Sequence, residues 1–316
     1  MSREPVRIRA VIPRVTRAVI DTDPGIDDAL ALLLAWASPE MTVDAITTVA
    51  GNVPVDIGTT NVFRLLALRP PRQRPVVAVG AAAPLARKLN TATRYHGEDG
   101  LGDLPDWAPV TPATDRRDAA AVIVDAARSS GSELTLVALG PLTNVALALR
   151  ADAGAMRRVA RIVAMGGAVD VPGNVTPTAE FNIYVDPEAA AAVFDAGLPV
   201  DLVPLDATRQ AVLVRADFES ALARVPGPVT TRIAAFTERG FRIDTARGSR
   251  GMVLHDPLAV GVAIDASLVS WEPVRLTIGS GGETRRAPGA PNCRVARTVD
   301  TARFLPMLLE RLCRGS

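Results

Sequence analysis

The feature that most limits what this chain can fold into is an alternation. Short aliphatic and β-branched runs take turns with longer segments of helical pattern from residue 17 to about residue 205. The strand-like runs are Arg17 to Thr22, Val43 to Val49, Val76 to Val79, Leu134 to Leu139, Arg161 to Met165 and Val200 to Leu205. Between them lie residues 29–37 (ALALLLAWA), Ile57 to Leu68, Asp118 to Arg128, Leu142 to Leu149 and Pro187 to Asp195, which read as helices. The 29–37 segment is apolar on almost every side, as a helix must be when it packs on a sheet and under neighbours. This order predicts an α/β fold: a mostly parallel open sheet of Rossmann type with helices on both faces. In such sheets ligands collect at the carboxyl ends of strands, so the active site is expected there.

The remainder is less regular. Residues 212–250 read as helical and more polar, broken by Pro226 and Pro228, and a helix follows from Pro257 to Ile264. A strand or hairpin is expected around Val274 to Ile278, with GSGGE (279–283) as a hairpin turn, and Phe304 to Leu312 lies in a closing helix. There is no internal repeat and no long linker, so residues 17–316 are read as one domain. Residues 1–16 carry Arg3, Arg7, Arg9 and Arg14 without the apolar run of a signal peptide, and are expected to form a flexible arm. The formal charge of +1 gives no bulk attraction to nucleic acid or membrane, and neither partner is expected. Cys293 and Cys313 have no metal-like spacing and suit a reducing compartment, which points to the cytoplasm.

The chemistry lies at the strand ends. The first strand runs into Asp21-Thr-Asp-Pro-Gly-Ile-Asp-Asp28, with four carboxylates within eight residues. Helix capping accounts for one or two of them. It does not account for four, because packed like charges repel unless a cation sits among them. Oxygen-only ligands suit a hard divalent ion. Three readings fit the cluster alone: a phosphohydrolase, a hydrolase using a metal-activated water, and a non-catalytic sugar or nucleoside receptor. The other strand ends carry Asn52, His96-Gly-Glu-Asp-Gly100, Ala138-Leu-Gly-Pro-Leu-Thr-Asn144, Met165-Gly-Gly167, Asn174, Ala179-Glu-Phe-Asn-Ile-Tyr-Val-Asp-Pro187 and His255-Asp256-Pro257. Glu180 and Asn182, two apart, share a side if that stretch is extended. Amides and carboxylates facing one cavity suit a polyhydroxylated ligand, and no arginine or lysine is present in these motifs to grip a phosphate.

These motifs resemble the inosine–uridine nucleoside hydrolase family. DTDPGIDDA (21–29), TTVAGN (47–52), HGEDG (96–100), ALGPLTN (138–144), MGG (165–167), AEFNIYVDPEAA (179–190) and HDPLAV (255–260) occur in the family's order over nearly the whole chain. The resemblance implies Ca²⁺-dependent hydrolysis of the N-glycosidic bond of ribonucleosides, giving free nucleobase and ribose, through a metal-bound water and an oxocarbenium-like transition state. It implies that Asp23, Asp28, Asp256 and the main-chain carbonyl of Leu139 hold the Ca²⁺, with Asp23 also the general base. It places Asp27, Asn174, Glu180 and Asn182 on the ribose hydroxyls, with Asn52 helping to place water or sugar. His255 is then the candidate acid for the departing base, and His96 a second contact near it or a loop anchor. A homodimer or homotetramer is implied as well. The alternative within the same fold is a calcium-dependent nucleoside or ribose receptor that does not hydrolyse. Asn144 and Asp186 read as turn or cap residues, and Asp21 as support behind the metal ligands.

The resemblance breaks at the base pocket. Family members often carry tyrosine or other aromatics on a helix just before the HDP motif, whereas residues 236–251 here hold none but Phe236 and Phe241. Arg239, Arg242 and Arg247 are the other candidates for contact with the base, and sequence does not rank them.

Overall fold

The structure is a computed structural model and describes residues 15–314. The expected N-terminal arm therefore lies, for residues 1–14, outside the described residues. The chain forms strands β1 (Thr16–Thr22), β2 (Met41–Thr48), β3 (Val76–Val79), β4 (Leu134–Ala138), β5 (Arg161–Met165), β6 (Val200–Val203), β7 (Val212–Leu213), β8 (Met252–Val253), β9 (Val269–Val274), β10 (Leu276–Ile278), β11 (Thr284–Arg286) and β12 (Cys293–Val299). The helices are α1 (Ile26–Trp36), α2 (Val55–Leu68), α3 (Thr93–His96), α4 (Ala119–Ser130), α5 (Thr143–Ala151), α6 (Ala153–Met156), α7 (Phe181–Val185), α8 (Pro187–Asp195), α9 (Leu205–Thr208), α10 (Arg215–Ala223), α11 (Pro228–Ala246), α12 (His255–Ile264) and α13 (Thr301–Leu312).

Eight strands make one sheet in the order β3-β2-β1-β4-β5-β6-β12-β9, parallel except for β9 at the edge. Alternation along β1 shows how the two faces are filled. Ala18 and Ile20 join a core with α1, α11, α12 and α13, while Val19 joins another with α4, α5 and α8. Helix α1 is buried at every position from Ile26 to Ala35, which agrees with its lack of a polar face. The mostly parallel sheet with helices on both faces is as expected.

Several local expectations need correction. Strand β12 was not anticipated, yet it pairs parallel with β6 and antiparallel with β9 deep in the sheet. Its sequence, CRVARTV, hides the strand because Arg294 spends its charge on Asp201 of the neighbouring β6, at 2.7 Å. Leu205 does not extend β6. Pro204 ends the strand, and Leu205 opens α9. The stretch holding Glu180 and Asn182 is not extended: Glu180 caps α7, and Asn182 lies within it. The segment 212–250 does divide at the prolines, with Pro228 in the first turn of α11. GSGGE does turn the chain, between β10 and β11, with Gly279 N donating to Glu283 O.

The last helix is tied to the first by buried arginines. Arg69, just after α2, donates to the carbonyl oxygens of Arg311 (3.0 Å) and Arg314. Arg311 in turn donates to Ser38 Oγ (2.7 Å) and Glu40 Oε1 (2.8 Å) in the α1–β2 turn.

Candidate active site

From β1 the chain moves to one side for β2 and β3, then returns to the other side of β1 for β4. The crossovers on the two sides leave a crevice beyond the carboxyl ends of β1 and β4. The residues that follow those two strands, Asp23 to Asp28 and Leu139 to Gly140, therefore meet. Gly51 and Gly140 make the approach feasible: a Cβ on either would stand 2.1 and 2.7 Å from an Asp23 carboxylate oxygen.

Asp21, Asp23, Asp27 and Asp28 are all buried, as is Asp256 at the start of α12. Each is held differently. Asp21 Oδ1 accepts from Thr47 Oγ1 (2.5 Å) and Asn144 Nδ2 (2.8 Å), behind the cleft. Asp28 Oδ1 accepts from Thr22 Oγ1 (2.5 Å), and its Oδ2 from Gly25 N and Asn52 Nδ2, both 3.0 Å. Capping is thus one of Asp28's roles. Asp23 Oδ2 accepts from Asn52 N at 2.7 Å, while its Oδ1 is buried with no partner among the described residues. Oxygens of Asp27, Asp28 and Asp256 lie within 4.8 Å of one another.

The electrostatics follow from this crowding. Burial, then repulsion from Asp28, pushes the Asp27 carboxyl up to about 8. Burial, then Asp28 and Asp27 in turn, holds Asp23 well above the carboxylate range. Asp256 is raised likewise by burial and by Asp27, Asp28 and Asp23. Among the described residues no cationic side chain lies within ion-pair distance of these groups. An all-oxygen set with an orphaned carboxylate oxygen fits a hard divalent cation. Asp27, Asp28 and Asp256 converge, and with Asp23 beside them they are the side chains that could hold one.

The remaining expected residues also reach the cleft. Leu139, Asn174, Glu180 and Asn182 line it together with Asp27, Asn52 and Asp256. Asn182 Nδ2 donates to the carbonyls of Leu139 (2.6 Å) and Met165 (3.2 Å), which leaves its Oδ1 for a ligand. Glu180 accepts from Gly167 N, Asn182 N and Ile183 N, and burial raises its carboxyl. Asn174 Oδ1 accepts from Phe181 N at 3.0 Å.

Both histidines border the same space. His96 Nδ1 accepts from Ile26 N at 3.0 Å, so the ring ties its loop to the start of α1, and its proton sits on Nε2. His255 Nδ1 is bonded to Thr208 Oγ1 at 2.8 Å, which leaves Nε2 for the cleft. Burial lowers His96 to about 3 and His255 to about 4. Asn144 has more than a cap's work, since it joins Asp21 of β1, Thr48 O of β2 and Ala81 N. Asp186 caps α8 through Ala189 N and also accepts from Thr143 Oγ1. Tyr95, Asp244 and Arg247 also line the cleft. Of these, sequence named only Arg247 as a candidate. Tyr95 precedes the HGEDG motif and Asp244 lies on a helix without a motif, so only the docking of α3 on α11 reveals them.

The cleft has a volume of about 230 Å³, which fits one small ligand. Comparison with known proteins agrees with its chemistry. The pyrimidine-specific ribonucleoside hydrolase RihA of Salmonella arizonae is 40% identical over 308 residues, covering 93% of this chain and 97% of that protein. Its namesake from an Enterobacter species is 38% identical over 310 residues, covering 94% and 98%. A plant nucleoside hydrolase superposes with a TM-score of 0.88 at 34% identity, over 95% of this chain and 99% of the other. The purine-preferring ribonucleoside hydrolase of Gardnerella vaginalis gives 0.88 at 30%, over 94% and 98%. Residues 18–306 match the inosine-uridine preferring nucleoside hydrolase family. The chain belongs to that family, and is a hydrolase of the N-glycosyl bond of ribonucleosides.

Proposed function

We propose that the chain hydrolyses ribonucleosides with the help of Ca²⁺ held by Asp23, Asp28, Asp256 and the carbonyl of Leu139. The observation that carries this reading is the buried, unpartnered Oδ1 of Asp23 beside three crowded carboxylates. When bound, the cation supplies charge neutralisation and makes a water more acidic. The protein's own residues do the rest. Asp23, with Oδ2 held by Asn52 N and Oδ1 otherwise unpartnered, accepts a proton from the attacking water. Asn52 steadies that carboxylate through its backbone N–H and reaches Asp28 with its amide.

Asp27, Asn174, Glu180 and Asn182 take the ribose hydroxyls. Their negative charge and dipoles stabilise the positive charge that grows on the sugar as the bond breaks, which is binding that strengthens toward the transition state. His255 presents Nε2 to the departing base, with its other nitrogen fixed by Thr208. Pyrimidine ribonucleosides are the preferred substrates in this reading, since the bacterial relatives at 38–40% identity are named for them. The active form is a homodimer or homotetramer, a cytoplasmic assembly. Among the described residues no helix is long and apolar enough to cross a membrane. Sedimentation showing only monomer would remove the oligomer from this reading.

The deciding experiment measures release of free base and ribose from a panel of nucleosides, with and without a chelator. Release that falls on chelation and returns with Ca²⁺ is the expected result. Binding of nucleoside without any release would leave only a receptor.

A further inference from the structure

One wall of the cleft, beside Asp27, is built by two elements locked together. Arg239 of α11 donates to the carbonyl oxygens of Thr93, Arg94 and Tyr95 on α3, and pairs with Asp103 at 2.8 Å. Farther along α11, Asp244 Oδ2 accepts from the Tyr95 hydroxyl and from Val253 N, both at 2.9 Å. The Tyr95 ring is thereby fixed, edge-on to His96 with centroids 4.8 Å apart. Arg247, at the end of α11, places its guanidinium carbon 5.7 Å from the centre of that ring.

The three candidate arginines, Arg239, Arg242 and Arg247, now separate. Arg239 is consumed by its bonds to α3 and Asp103. Arg242 and Arg247 are both exposed, but Arg242 lies outside the cleft. Arg247 borders the cleft, and among the described residues no carboxylate lies within ion-pair distance of it. Its charge lies over an aromatic face and is felt by Asp244, but it makes no direct ion pair.

We infer that Arg247, seated on Tyr95, is the residue that receives the negative charge of the departing nucleobase. The inference rests on the hydrolase reading and on the sugar lying against the carboxylates. As the C1′–N bond breaks, its electron pair passes to the base nitrogen and spreads to the ring's carbonyl oxygens. The water oxygen bonds to C1′, its proton goes to Asp23, and the base takes up a proton, by way of His255 or from solvent, only after the bond has broken. Until that proton arrives the base is an anion. A guanidinium has donors only and stays charged at any working pH, so it suits a carbonyl oxygen gaining charge. A donor aimed at charge that exists only late in the reaction acts on the transition state and not on the bound substrate. Tyr95 and Asp244 are positioning residues for it.

The test compares Arg247→Gln, Arg247→Lys and, as a control, Arg242→Gln, on uridine, inosine and p-nitrophenyl riboside, whose leaving group is a stable anion unaided. Arg247→Gln is expected to lose at least a hundredfold in kcat/KM on the two nucleosides, mostly in kcat, and tenfold or less on p-nitrophenyl riboside. Arg247→Lys should recover at least tenfold of the nucleoside loss, inhibition by free ribose should be unchanged in both variants, and Arg242→Gln should match the wild type. Equal losses on all three substrates, or no loss, would overturn the assignment. A wild-type protein that splits none of them would instead sink the hydrolase reading. Turnover indifferent to chelation would sink only the cation.

Discussion

At Asp23 one oxygen is steadied by a backbone N–H and the other has nothing to bond, inside a site packed with like charge. An arrangement that costs stability persists where chemistry needs it. Asp23→Ala should therefore lower kcat/KM by at least a thousandfold while the melting temperature stays level or rises, because the change removes one repelling carboxylate. Activity within tenfold of wild type would dismiss Asp23 as the base. Asn144 behaves in the opposite way. Asn144→Ala strips partners from Asp21, Thr48 O and Ala81 N at once, and leaving buried groups unsatisfied costs about 2–4 kcal/mol in all. Urea unfolding at equilibrium measures it, and a loss under about 1 kcal/mol would show that water replaces the amide. The contrast marks what sequence could tell. The placing of Asp23 and Asn52 at the cleft was legible because strand ends converge in any sheet of this order, whereas Asp256, which follows β8 outside that sheet, was legible only through its motif. Tyr95 and Asp244 were not, because their partnership is set by how α3 meets α11.

Among the elements, those with a clean period were readable. β3, β5 and α8 fall where the pattern put them, and α1 starts three residues earlier than its apolar run because Ile26, Asp27 and Asp28 complete its first turn. β12 escaped because Arg294 and Arg297 break its apolar alternation, and their partners, Asp201 and Asp206, are more than ninety residues away in sequence. The α7 turn escaped because its capping acceptor, Glu180, reads equally well as a ligand for sugar. Helix α13 gives a test at this scale. Arg311 is buried and bonds Ser38 and Glu40 across the α1–β2 turn. Arg311→Ala should cost about 1–3 kcal/mol, since it empties a buried position and leaves the half-buried Glu40 carboxylate without its cation while Ser38 keeps its bond to Leu34 O, and should leave KM for nucleosides unchanged. A cost within about 0.5 kcal/mol would mean that the apolar face of α13 alone docks it.

For the molecule as a whole, the carboxylate nest links cation, proton and stability. The Asp27 carboxyl ordinarily titrates near 3.8 and here near 8, so the folded chain binds more protons than the unfolded one between those values. Its stability without cation therefore falls as pH rises through that window. His255, lowered from 6.5 to about 4, works the other way and weakens the fold as pH drops below 6.5. Above pH 6.5 only the carboxylates remain in play. The stabilisation by Ca²⁺ should accordingly be larger at pH 8 than at pH 6.5, as ligand carboxyls give up their protons. Melting curves at both pH values, with chelator and with Ca²⁺, check this, and equal increments would argue against ligation by these groups.

The place of β12 has a consequence for how the molecule is made. Asp21 to Asp28 leave the ribosome early, whereas Asp256 follows more than two hundred residues later and β12 later still. At about 5–20 residues per second, a nascent chain spends on the order of 10–45 s with the first four carboxylates made and the fifth missing. From the end of β6 until β12 is made, about 90 residues or on the order of 5–18 s later, β6 is a bare edge, open to any passing strand. A message that breaks or stalls after β6 would thus yield not a weak enzyme but a sticky one.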